Sequence, residues 1–71
     1  MPMRPRDAVV RVLTEAGEPL HWTTIQDRAL RAGYLDPFAT PDVRGSVQRA
    51  LRELRAEGAI ERTSTGVYAA I

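Results

Sequence analysis

The sequence predicts a winged helix-turn-helix domain, mainly α with a small β-hairpin (α+β), in the order α-β-α-α-β-β. Three observations predict it. Amphipathic stretches cover residues 5–16, 24–32 and about 41–57; glycines stand where those stretches stop, at Gly17, Gly33 and Gly58; and two β-prone runs, 59–63 and 67–71, flank Ser64-Thr65-Gly66. The chain has 71 residues, which is one domain, 1–71. A domain of this size buries only about 60% of the surface its unfolded chain exposes.

The first helix opens at Pro5, where a missing N–H costs nothing, and sets Ala8, Val9, Val12, Leu13 and Ala16 on one face. Val10 falls off that face: it is either a dimer contact or one of the isolated exposed apolar residues that any surface carries. After Gly17, Glu18-Pro19 turns the chain and Leu20-His21-Trp22 forms a short extended piece able to pair at a sheet edge.

Thr23 and Gln26 have capping-box spacing, so the second helix is expected over 24–32, burying Ile25, Ala29 and Ala32. Tyr34, Leu35 and Phe38 make the following irregular stretch apolar enough to pack partly on the core. Thr40-Pro41-Asp42 opens the third helix with a hydroxyl cap, a proline and an acid suited to the positive end of the helix dipole. Val43, Val47, Ala50, Leu51 and Leu54 then form a single buried stripe. Gly45 contradicts this helix locally, at a cost of about 1 kcal/mol relative to alanine. Either it permits close approach of a phosphate or a neighbouring element, or it is tolerated near the first turn.

Composition narrows the function. There is no cysteine, hence neither a disulfide staple nor a thiolate metal cage. No apolar run reaches the ~18 residues of a membrane span, and residues 1–6 lack the apolar stretch of a secretory signal, so a cytoplasmic protein or a fragment of one, without membrane partners, is expected. The net charge is only +1; attraction to nucleic acid therefore has to come from where charges sit. All ten basic residues are arginine. That fits a need for planar, bidentate donors, and it also fits codon usage in a GC-rich genome.

On a helical wheel at about 100° per residue, Arg44, Gln48, Arg52 and Arg55 share one band beside the apolar stripe, with Arg49 further round. Asp42 sits at the helix start, and Glu53 and Glu57 lie on the opposite flank. A helix in the DNA major groove needs long donors outward, arginine for guanine O6 and N7 and glutamine for adenine N6 and N7. A solvated face whose arginine stems cover the core edge is the plainer alternative.

Arg62, Thr63, Ser64 and Thr65 are placed to meet phosphates as a wing, or else form an ordinary solvent turn. Thr24 and its neighbour Thr23 stand where amides at the start of the second helix can hold a phosphate. Trp22 belongs to the core or its edge. His21 has neither a second soft ligand nor a nucleophile beside it, so no catalytic residue, metal site or cofactor is expected, and the chain is expected to bind rather than catalyse.

Gly17-Glu18-Pro19-Leu20-His21-Trp22, Thr40-Pro41-Asp42 and Gly66-Val67-Tyr68 together resemble the HARE-type helix-turn-helix family over nearly the whole chain. Leu20, Trp22, Thr40, Pro41 and Tyr68 match its structural positions. The sequence departs from the pattern at Phe38-Ala39, where a glycine and a basic residue often precede the Thr-Pro, and at Ile60, where phenylalanine is common. The resemblance implies a winged helix and two classes of partner. One is double-stranded DNA, in transcription or in DNA modification and restriction; the other is a protein, RNA polymerase or a fused or associated enzyme. Fold alone does not choose between them.

Overall fold

The computed structural model describes residues 3–71 and has the expected order: α1 (Pro5–Ala16), β1 (Leu20–His21), α2 (Trp22–Arg31), α3 (Val43–Ala56), β2 (Ile60–Ser64) and β3 (Val67–Ala70). Three helices and a three-stranded antiparallel sheet make a winged-helix-like α+β fold.

Pro5 opens α1 as expected, and Gly17 closes it in the left-handed conformation (φ 65°), its N–H donating to Leu13 O. The start of α2 differs from the expected one. His21, not Thr23, is the N-cap: its Nδ1 accepts the Thr23 N–H at 3.3 Å and lies 2.8 Å from Thr23 Oγ1. β1 ends at His21, so the chain turns straight from strand into helix, and Trp22 belongs to α2 instead of continuing the extended piece. Gln26 makes no return bond of a capping box; its Oε1 is buried without a partner. At the other end Ala32 is the C-cap and exposed, because the helix stops at Arg31 before Ala32 can turn inward.

The segment between α2 and α3 is pinned at two places. Tyr34 O accepts the Met3 N–H at 2.7 Å, tying the start of the chain to this segment. Asp36 builds a turn in which its Oδ1 accepts from Phe38 N and its carbonyl from Ala39 N and Thr40 N. Leu35 is buried as expected and Tyr34 half-buried, but Phe38 is 94% exposed: the Asp36 turn leaves its ring in solvent. Asp42, not Thr40, caps α3, accepting from Gly45 N at 3.0 Å.

The apolar stripe of α3 packs on Val9, Val12 and Leu13 of α1 and Ile25 and Ala29 of α2, with Leu20 and Ile60 closing the core from the sheet. Val43, the first of the stripe, is only half-buried, and no polar or charged residue is buried among those described. β3 lies between the other two strands, pairing Leu20 with Tyr68 on one side and Ile60 with Ala70 on the other. The register shifts between Arg62 and Ser64, so Thr63 is the extra residue of a β-bulge. Gly66 (φ 73°) then turns the chain into β3. None of the helices described is long and apolar enough to cross a membrane.

Candidate nucleic-acid interface

The apolar stripe fixes which way α3 faces. With Val47, Ala50, Leu51 and Leu54 buried, the flank beside the stripe points outward: Arg44, Arg52 and Arg55 are exposed there and Gln48 is half-buried, while Arg49, also exposed, lies further round, beside the start of α1. From Arg44 to Arg55 the band runs along about 16 Å of helix axis at 1.5 Å per residue.

Charge placement decides whether such a band can attract anions. Among the described residues the ion pairs are Arg6 with Glu57, Arg11 with Glu15 and Arg31 with Asp27, and none of them engages α3's four arginines. Of the acids nearest in sequence, two make hydrogen bonds elsewhere and the third, Glu53, lies beside Arg49 without an ion pair to it. Asp42 is spent on the Gly45 amide, Glu57 is held by Arg6 of α1, and Glu53 lines a cleft between α3 and the start of α1 together with Arg4, Ser46 and Arg49. The hydrogen bonds and charge of Arg6 hold the Glu57 carboxyl below the usual carboxylate range. Glu15 is lowered too, first by the Tyr34 hydroxyl and then by Arg11, and in return it raises the Tyr34 phenol above its ordinary value.

Contacts through Trp22 bring together the start of α3, the start of α2 and the hairpin tip. Trp22 is the joint. Its backbone N–H donates to Gly66 O at 2.9 Å, and its ring carries the Arg44 guanidinium, Cζ to ring centroid 5.2 Å. Ser64 and Thr65 are exposed beside Gly66 at the tip, and Arg62 is exposed on β2. Thr24 lies half-buried in the first turn of α2. Arg55 stands apart, in the last turn of α3, where a cation also complements the helix dipole.

Gly45 has a cause that neither sequence-based explanation named. A Cβ built there would come within 2.7 Å of Asp42 Cγ, so the residue is small because the capping carboxylate lies against it. Neither the Trp22–Arg44 cation–π contact nor the His21 cap is among the sequence-based expectations. Both join positions that are distant in sequence or depend on where β1 ends, although an aromatic directly before a helix start was the available signal. His21 stacks obliquely on Trp22, ring centroids 5.8 Å apart, and contacts Gly66.

Among the described residues no cluster of three or more His, Asp or Glu side chains is placed to hold a metal. Compared with protein-family models, curated proteins and solved structures, the chain matches none.

Proposed function

We propose that this winged-helix-like domain is a DNA-binding module that works by recognition and not by catalysis. In this reading α3 enters the major groove with Arg44, Gln48, Arg49 and Arg52, while Arg55, Thr24 and the hairpin residues Arg62, Ser64 and Thr65 meet phosphates. The observation that carries it is the outward band of guanidinium groups without ion-pair partners, which begins with Arg44 beside the Trp22 that bonds the hairpin tip. The resemblance of Gly17–Trp22, Thr40–Asp42 and Gly66–Tyr68 to the HARE-type family supports the same reading, and with it we propose a role in transcription or in DNA modification and restriction.

The test is duplex binding by fluorescence anisotropy at moderate salt, with thermal unfolding as the control. The triple variant R44A/R49A/R52A is expected to lose duplex binding while keeping the wild-type melting behaviour. Its salt dependence carries further information, since each phosphate contact removed lowers the slope of log K against log salt by about 0.9. Wild-type affinity in the triple variant overturns the proposal. Absence of any duplex binding at low salt turns the arginine band into a docking surface for an acidic protein partner such as a polymerase or an associated enzyme.

A further inference from the structure

Arg44 is the second residue of α3, and in a helix-turn-helix docking the first residues of the recognition helix are those that reach base edges. Its guanidinium does not float free. It lies over the Trp22 ring at 5.2 Å, a distance within the range of a cation–π contact.

Trp22 is itself fixed from two sides. Its N–H is bonded to Gly66 O of the hairpin, and the half-buried side chain packs on the core. The Gly66 backbone in turn comes so close to His21 and Trp22 that a Cβ would stand 3.0 Å from His21 Nε2 and 3.4 Å from Trp22 Cδ1. A side chain at this position would press on the His21 ring and would also strain the backbone, whose φ is 73°.

We infer that Trp22 is a positioning residue that aims Arg44 to read a guanine. The inference rests on the DNA-binding proposal. A guanidinium held over an aromatic face is contacted by the ring on one side only, which leaves N–H donors available for a bidentate contact to guanine O6 and N7. A freely rotating arginine has to lose its rotamer freedom on binding, whereas one held over a ring has already lost part of it. Lysine over the same ring retains the cation–π attraction but presents no planar fork.

The consequence is specific. Trp22 contributes to base preference through Arg44 without adding a phosphate contact of its own.

The experiment is selection of binding sites from a random duplex pool, followed by affinity and salt titrations on the selected site, for wild type, R44K, W22F and W22L. Wild type is expected to select a guanine at one position. R44K is expected to lose that preference and to weaken binding to the selected site by roughly tenfold, within the range for losing one bidentate base contact. W22L is expected to relax the preference and weaken binding by roughly two- to fivefold, the size of an exposed cation–π contact. W22F, which keeps an aromatic face, is expected to restore most of both, and it guards against W22L simply failing to fold. The salt slope is expected to be the same in W22L as in wild type.

A drop of about 0.9 in that slope for W22L makes Arg44 a phosphate contact and overturns the inference while leaving DNA binding in place. An unchanged guanine preference in folded W22L also overturns it. If wild type enriches no duplex at all, the DNA-binding proposal falls and takes the inference with it. Trp22 is the only tryptophan, so its emission reports the contact separately: R44A is expected to change it in the free protein, and identical spectra mean there is no contact.

Discussion

Arg6 at the start of α1 and Glu57 just beyond the end of α3 are joined by a two-pronged ion pair, with Arg6 Nη1 donating to Glu57 Oε2 at 2.8 Å. The pair ties two helix ends that are far apart in sequence. It also keeps Glu57 engaged away from the arginine band of α3.

This pair sets an acid dependence. Arg6 holds the Glu57 carboxyl below its ordinary value, so the folded state favours the ionised form. Its stabilisation is fully present above the unfolded value of about 4.3, and is lost as pH falls through the lowered folded value. In thermal melts at a series of pH values, E57Q is expected to melt below wild type at neutral pH, and the two curves are expected to approach each other as pH falls below about 4.3 and through the lowered folded value. A gap that stays constant down to pH 3 contradicts the assignment. Glu15, lowered by Tyr34 and Arg11, adds a component in the same pH window, which E15Q removes.

Asp42 and Gly45 are expected to be coupled. Gly45→Ala gains about 1 kcal/mol of helix propensity, but its methyl group displaces the Asp42 carboxylate from the Gly45 amide, and losing a cap costs about 1 kcal/mol. The single substitution is therefore expected to leave stability nearly unchanged. In a D42A background, where no cap remains to displace, G45A is expected to stabilise by about 1 kcal/mol. Urea unfolding of the four proteins of this cycle measures the difference, and equal effects of G45A in both backgrounds rule out the coupling.

His21 offers a way to separate stability from binding. Aspartate caps helices well and its charge suits the positive end of the dipole, so H21D is expected to stabilise the fold by roughly 0.5–1 kcal/mol. The same negative charge enters the corner where the hairpin tip and Arg44 meet, and duplex affinity is expected to fall. Thermal melts and anisotropy titrations on this one variant check both signs. An H21D protein that binds DNA as well as wild type removes this corner from the interface.

The fold was legible in the sequence because its signals are local and periodic. Val47, Ala50, Leu51 and Leu54 recur at helical spacing and are all buried, and Gly17 and Gly66 sit at turns that need a positive φ. Element starts were less legible. Whether Thr23 or His21 caps α2 depends on where β1 ends, and that is fixed by pairing with Val67, more than forty residues away. Thr40 and Asp42 are both acceptable caps, and contact between the Asp42 carboxylate and the Gly45 amide decides between them.

Phe38 shows the limit of reading burial from residue type. Leu35 fills the available core position and the Asp36 turn leaves the phenylalanine outside. For the candidate site, the outward direction of α3 followed from its apolar stripe. The partners of Arg44 and Glu57 did not, because Trp22 and Arg6 reach them from other elements and no spacing rule connects them.

The central place of β3 bears on how the domain comes into being on the ribosome. Both other strands bond to Val67–Ala70, so a nascent chain that has emerged only as far as Gly66 has no sheet. Synthesis at about 5–20 residues per second leaves the apolar sides of Leu20 and Ile60 without their strand partners until nearly all of the domain has been made. Maturation is therefore completed late, by its last strand.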